Sequence, residues 1–211
     1  MESYASLKKG TTTVGIKTIE GVVIAADKRA TAGFMVANKK VNKIAKISDY
    51  CAVTIAGTVA QAFYLVETLR VRTQLYFVEH NSKLSVRGIA NLASNILQSQ
   101  KFALLPVALL IGGYDSEARL YMLDFFGSIS EEKFIATGSG YSVAMGVIHS
   151  NYKEGMDIIS AASIAAKAIR AAIEWDAPTG EGIDLALIDK SGVRLLTKNE
   201  IEKLVSKAVS V

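Results

Sequence analysis

The chain has 211 residues, of which 50% are hydrophobic and 21% charged, and its formal net charge is +4. That is long enough for one domain with a sizeable core and too apolar for an intrinsically disordered segment. The basic residues are scattered and form no stripe interleaved with aromatics, so no nucleic-acid surface is expected.

TTTVGIKT and GVVIAADKRAT are β-branched segments joined across IEG, with Gly21 at the bend, which predicts a hairpin. KKVNKIAKI and CAVTIAG repeat the pattern around the turn-forming SDY. From 58 to about 79 the period changes: Val59, Phe63, Val66 and Leu69 recur at helical spacing, and Glu67, Arg70 and Arg72 fall outside the stripe. A second helix is expected after Ser85, with Val86, Ile89, Ala93, Ile96 and Leu97 on one face. Three strands follow, VALLIGGYD, ARLYMLDFFG and EEKFIATG, the first two paired around 115–117. Helices are expected over 142–150 and 156–175; the latter is alanine-rich, with Ile158, Ala162, Ala165, Ile169 and Ile173 along one side. IDLALIDKSGVRLLT reads as another hairpin, turning on KSG. The end reads as a helix opened by a capping box, Thr197 with Glu200, before the stripe Ile201, Leu204, Val205 and Ala208.

Runs of strands followed by runs of helices indicate an α+β protein with antiparallel sheets and helices segregated on outer faces. A four-layer α-β-β-α sandwich satisfies this pattern, and so does a two-layer α+β fold. No repeat or linker divides residues 11–211, so a single domain is expected there.

The single cysteine, Cys51, rules out an internal disulfide and reads as a buried, inert thiol in a reducing compartment. The two histidines, His80 and His149, lie far apart and lack metal-ligand spacing, so no metal is expected. The first ten residues, MESYASLKKG, contain no apolar signal-peptide core, and the longest apolar run is broken by Pro106 and a glycine pair. A cytoplasmic protein with no membrane contact is the expectation.

A Ser/His/Asp set is missing. Gly138-Ser139-Gly140 has part of a nucleophile elbow but lacks its second glycine at the required offset, and reads as a glycine-rich turn entering a helix. A threonine at a chain terminus needs no histidine. Its own α-amine, with an ordinary pKa of about 7.7–8.0, can act as the base that activates the hydroxyl. Such an amine exists only if the preceding peptide bond is cut. Here Gly10 precedes Thr11, and a glycine is expected to leave that bond exposed.

With these residues in place, the sequence resembles the proteasome β subunits of archaeal type, threonine proteases of the N-terminal-nucleophile hydrolase family. The similarity runs through GTTTVGIK (10–17), GVVIAADKRAT (21–31), NKKVNKIAKI (38–47), IAGTVA (55–60), LIGGYD (110–115), ATGSG (136–140) and DAPTGEGIDLALI (176–188). The resemblance implies the four-layer sandwich and a leader, residues 1–10, removed autocatalytically between Gly10 and Thr11. Thr11 would then be the nucleophile, flanked by Asp27 and Lys43. The backbone N–H of Gly57 would hold the oxyanion, and Ser139, Asp176 and Thr179 would orient the amine and its proton relay. The substrate pocket would be lined by Ala30, Val41, Ala45, Ile55 and Val59, all apolar, which implies cleavage after large hydrophobic residues. No cofactor is implied. The implied partners are other β subunits in a seven-membered ring, α subunits, a regulatory ATPase acting through the α rings, and unfolded polypeptide substrates.

Three positions depart from the family's usual pattern. Thr179 stands where serine is expected, Trp175 where arginine is common, and Gln61 where an acid is frequent. A weakly processed or catalytically silent β subunit with an assembly role is the alternative these changes keep open. Without the resemblance, Asp27 and Lys43 read simply as a charged strand end and a solvated lysine.

Overall fold

β1 (Thr12–Lys17) and β2 (Gly21–Asp27) pair antiparallel, with Thr13 opposite Ala26 and Lys17 opposite Val22. Their side chains alternate between two buried faces, as the two-residue period of a strand requires. Val14, Ile16, Val23 and Ala25 face one cluster, built with helical residues. Val22, Ile24 and Ala26 face a second cluster, which they share with Ala52, Ala118 and Leu120. A hairpin buried on both faces must be an inner layer.

The computed structural model describes residues 10–57, 59–99 and 107–206, with only the backbone described at 59–61. Two five-stranded sheets, both antiparallel throughout, form its centre. The first has the order β10-β1-β2-β11-β12, adding β10 (Phe134–Gly138), β11 (Ile183–Asp189) and β12 (Gly192–Leu195) to the hairpin. The second has the order β5-β6-β7-β8-β9, made from Ile44–Ser48, Cys51–Gly57, Val107–Tyr114, Ala118–Leu123 and Ile129–Glu131. A short separate hairpin, β3 (Ala30–Ala32) with β4 (Met35–Asn38), follows β2.

α3 (Tyr141–Asn151), α4 (Ile158–Trp175) and α5 (Lys198–Ser206) cover the outer face of the first sheet, with Ala161, Ala162, Ala165, Ala168, Ile169 and Ile201 buried against it. α1 (Val59–His80) and α2 (Val86–Ser99) cover the second sheet with Leu65, Val66, Leu69, Val86, Ile89 and Ala93. The layers are therefore α-β-β-α, and the two-layer alternative falls. The sheets approach closely where β1 carries Gly15: a Cβ there would lie 2.7 Å from Leu120 Cδ1. No helix of the described residues is long and apolar enough to cross a membrane.

Several expected boundaries shift. EEKFIATG is two strands, since the chain passes from the second sheet to the first between Glu131 and Phe134. Of KKVNKIAKI only Ile44 onward is strand. α4 starts at Ile158 because Asp157 caps it, its carboxylate accepting from the amides of Ile159 and Ser160. The capping box forms as expected: Thr197 N donates to Glu200 Oε2 at 2.8 Å and Glu200 N to Thr197 Oγ1 at 3.4 Å. In α1 the core face is Ala62, Leu65, Val66 and Leu69, while Phe63 is 61% exposed. Cys51 is buried, and desolvation pushes its thiol up, away from reactivity.

Candidate active site

Asp27 ends β2 at the point where β1 begins, and its side chain is fully buried. Both carboxylate oxygens are saturated. Oδ1 accepts from Lys43 Nζ at 2.6 Å and from Thr12 N at 3.0 Å. Oδ2 accepts from Arg29 N and Gly180 N, each at 3.0 Å. Four donors from four chain segments converge on one side chain, which ties β1, β2, the approach to β5 and the turn before β11 together. Lys43 is 5% exposed, and its backbone carbonyl accepts from Ile55 N of β6 at 2.9 Å. Burial pushes the Lys43 ammonium below its ordinary pKa, against the opposing pull of Asp27's charge and hydrogen bond.

A second network encloses Thr11. Ser139 N donates to Thr11 O at 2.8 Å. Gly138, at φ +97°, makes this approach possible: a Cβ there would sit 1.8 Å from that same oxygen. Ser139 Oγ donates to Asp176 Oδ2 at 2.5 Å, and Thr179 Oγ1 donates to the same oxygen. Thr179 Oγ1 also lies 2.7 Å from Thr12 Oγ1, which accepts from Gly140 N at 3.1 Å. The turn from α4 into β11 and the turn from β10 into α3 thus meet over the start of β1.

Gly10 and Thr11 are both buried, so the bond between them is not exposed as the glycine suggested. Thr11 Oγ1 donates to Gly10 O at 2.7 Å, and Gly10 N donates to Thr31 Oγ1 at 3.0 Å. Beside them opens a cavity of about 150 Å³ bordered by Ala30, Thr31, Ala37, Val41, Asn42, Lys43, Ile55, Gly57, Ala62 and Phe63. Gly57 closes β6 at φ +134°, a conformation open to glycine and closed to residues with a Cβ.

The expected catalytic set, Thr11, Asp27, Lys43, Gly57, Ser139, Asp176 and Thr179, is thus gathered around one end of β1. Among the expected pocket residues, Ala30, Val41 and Ile55 border the cavity. Ala45 does not: it packs against the core cluster under α1, on the opposite side of β5 from Ile44, which joins the inter-sheet core. The side chains of Val59 and Gln61, and residues 1–9 of the expected leader, lie outside the described residues. Phe63, assigned by periodicity to the core, lines the cavity. Thr179 keeps the hydroxyl contacts a serine would make, and Trp175 ends α4 at 80% exposure.

Sequence reasoning missed four residues. Thr12 carries a hydroxyl of the second network. Thr31 holds the Gly10 amide. Arg29 clamps the turn after Asp176 by donating to Ala177 O at 2.7 Å and pairing with Glu181 at 3.1 Å. Pro178 packs on Gly10. Only Arg29 had a local signal, its place two residues after Asp27.

The arrangement sets a hydroxyl against the carbonyl that precedes it, with a buried ammonium–carboxylate pair in the same wall. Comparisons with known proteins place the chain in a family. The family model described as "Proteasome subunit" matches residues 7–188. Proteasome subunit beta 2 of Ignicoccus hospitalis is 47% identical over 194 residues, covering 92% of each chain. Proteasome subunit beta of Methanopyrus kandleri is 45% identical over 210 residues, covering 98% of this chain and 100% of its own. Proteasome subunit beta 1 of Korarchaeum cryptofilum is 45% identical over 204 residues, covering 96% of this chain and 99% of its own. With two antiparallel sheets between helical layers and a match spanning nearly its whole length, this chain belongs to the proteasome subunit family, among the archaeal β subunits of the core particle.

Proposed function

We propose that this chain is a catalytic β subunit, a threonine endopeptidase that removes its own residues 1–10 and then hydrolyses unfolded polypeptides. The observation that carries the reading is the 2.7 Å approach of Thr11 Oγ1 to the Gly10 carbonyl oxygen, within a buried site that also holds the Lys43–Asp27 pair. In self-cleavage Thr11 Oγ attacks the Gly10 carbonyl carbon, its proton passes to the Thr11 nitrogen as the C–N bond breaks, and the Gly10 acyl group is left on oxygen as an ester. Water hydrolyses that ester and leaves Thr11 with a free amine.

In turnover the amine takes the proton from Thr11 Oγ as the oxygen attacks a substrate carbonyl. The charged Lys43 stabilises the alkoxide that develops, and Asp27 holds the lysine in place. Gly57 N–H donates to the tetrahedral oxyanion, an interaction whose removal in comparable sites costs about 2.7–4 kcal/mol. The protonated amine then passes its proton to the leaving nitrogen, and water releases the acyl group. Ser139, Asp176 and Thr179 hold the amine in line through their hydrogen bonds around Thr11 O. The apolar cavity wall of Ala30, Val41 and Ile55 supports cleavage after hydrophobic residues.

Core β subunits assemble with other subunits. For this chain the proposed assembly is a seven-membered β ring stacked under α-subunit rings, in the cytoplasm, with an ATPase delivering unfolded chains through the α rings. Enclosure of this kind keeps an unselective protease from the surrounding proteins. Intact-mass measurement of the assembled chain tests the reading. A mature chain beginning at Thr11, and loss of both processing and peptidase activity in Thr11→Ala, are expected. A leader that persists in the assembled particle would instead support a silent, structural subunit.

A further inference from the structure

Residue 10 is enclosed on three sides. Its amide donates to Thr31 Oγ1 at 3.0 Å, and its carbonyl oxygen accepts from Thr11 Oγ1 at 2.7 Å. On the side where an L side chain would begin stands Pro178. A Cβ built on Gly10 would lie 1.6 Å from Pro178 Cβ, 2.7 Å from its Cα and 2.8 Å from its carbonyl carbon. No side-chain rotation relieves that overlap, because the position of a Cβ follows from the backbone alone.

Nor is Pro178 free to step aside. Its ring fixes φ. Ala177 O is held by Arg29 at 2.7 Å, Thr179 N donates to Asp176 O at 2.9 Å, and Gly180 N donates to Asp27 Oδ2 at 3.0 Å. Moving this turn would pull Thr179 from Asp176 and Gly180 from Asp27. Moving residue 10 would take its carbonyl out of reach of Thr11 Oγ1. Either displacement lands on the reacting geometry.

We propose that Pro178 is the specificity-determining residue of self-cleavage: it admits glycine before Thr11 and rejects any residue with a Cβ. The proposal rests on the self-processing reading above and deepens it. Selection here works by exclusion, a steric penalty against every competitor, not by added affinity for glycine. The free-substrate reaction follows the opposite rule, since the apolar cavity accepts a side chain at the corresponding position. The same nucleophile therefore reads its leader and its substrates by different surfaces.

The test is a time course of intact mass on the full-length chain co-expressed with the other core subunits. Gly10→Ala is expected to slow leader removal by about 100-fold, the order of effect of a misplacement near 1 Å at a reacting centre. Pro178→Gly removes the closest clashing atom, while the bonds from Arg29 to Ala177, from Thr179 to Asp176 and from Gly180 to Asp27 keep the turn in place. Combined with Gly10→Ala it is expected to restore at least about tenfold of that loss, while Pro178→Gly alone still sheds its leader. The proposal is overturned if Gly10→Ala processes at the unaltered rate. It is also overturned if the double variant is as slow as Gly10→Ala while Pro178→Gly alone processes normally.

Should Pro178→Gly fail to fold, a crystal structure of the particle carrying both Thr11→Ala and Gly10→Ala decides. A displaced 177–179 turn or a broken bond from residue 10 to Thr31 supports the assignment. A methyl at position 10 directed away from an unmoved Pro178, with the Thr31 bond intact, overturns it. An unaltered chain that keeps residues 1–10 marks failure of the self-processing reading itself, and the assignment falls with it. Normal processing of the unaltered chain alongside equal processing of Gly10→Ala marks failure of the Pro178 assignment alone.

Discussion

Thr12 Oγ1 and Thr179 Oγ1 lie 2.7 Å apart, joining the first residue of β1 to the turn before β11 through two hydroxyls. Thr12 is fully buried, and its oxygen also accepts from Gly140 N at 3.1 Å. Thr12→Val keeps the shape and removes the hydroxyl, leaving the Gly140 amide and the Thr179 hydroxyl short of a partner. An unsatisfied buried group costs about 1–3 kcal/mol. We predict that amount of lost stability in denaturant titration. Peptidase kcat/KM should fall about tenfold, equivalent to about 1.4 kcal/mol at the transition state. Thr179→Ser, which retains the hydroxyl, should stay near the unaltered values; a loss there as large as in Thr12→Val would sink the relay.

The Lys43–Asp27 pair is buried on both sides, at 5% and 0% side-chain exposure. Removing one partner of such a pair leaves an uncompensated charge and destabilises by about 3–5 kcal/mol. Lys43→Met should therefore lower the unfolding midpoint markedly as well as abolish processing. A variant that loses activity with an unchanged midpoint would show that the ion pair is not coupled to the fold.

Lys43 also sets a pH dependence. Its pKa in the folded chain lies below the ordinary 10.5, chiefly through burial. Between the folded value and 10.5 the unfolded chain binds more protons at this site, so the Lys43 contribution to stability rises with pH. On the proposed mechanism activity runs the other way, because it is the charged ammonium that would stabilise the alkoxide. The peptidase rate should begin to fall below pH 10.5 while the Lys43 contribution to stability, taken as the difference from Lys43→Met, still rises. Parallel decline of both quantities would contradict the assignment.

Much of this arrangement was readable in the chain, and the rest was unreadable for physical reasons. β-branched runs bounded by turn residues located β1, β2 and β6, and the alanine-rich stripe of α4 announced a helix packed close on a sheet. Asp27 and Lys43 looked like a strand end and a surface lysine, since their burial is created by Gly180 and Thr12, far away in sequence or on another strand. Phe63 matched the helical period, but periodicity cannot tell a core wall from a cavity wall. EEKFIATG read as one strand because a change of sheet at Glu132 leaves no mark on a polar-to-apolar run. A glycine at position 10 suggests an exposed bond, whereas in the structure its small size fits it against Pro178.

The capping box at α5 gives an acid-side prediction. Glu200 is pulled from its ordinary 4.5 down to about 2, first by its hydrogen bonds with the backbone and hydroxyl of Thr197 and then by Arg194. A depressed carboxylate contributes stability that is present above its unfolded value and is lost as pH falls through the folded one. Amide protection in α5 should decline between pH 4.5 and about 2 in the unaltered chain. In Glu200→Gln it should start lower and show no such step; an identical step in both chains would assign the loss to another group.

The cavity beside Thr11 makes the specificity claim concrete. Its volume is about 150 Å³, and Ala30, Val41 and Ile55 on its wall present no charge to a substrate side chain. Lys43 borders the same space but is committed to Asp27 at 2.6 Å, so it is not a free cation for an acidic residue. A panel of fluorogenic peptides should show faster cleavage after leucine or phenylalanine than after arginine or glutamate. Ile55→Glu places a carboxylate on that wall, and it should raise the ratio of arginine to leucine cleavage by about tenfold or more, since a charge pair about 4 Å apart is worth on the order of 1–4 kcal/mol between bulk-water and near-surface screening. Because Ile55 also packs against the core under α1, Ile55→Gln serves as the control for polarity without charge. If the unaltered enzyme prefers arginine, or if the Ile55→Glu and Ile55→Gln variants shift the ratio equally, then the residue before the scissile bond does not enter this cavity.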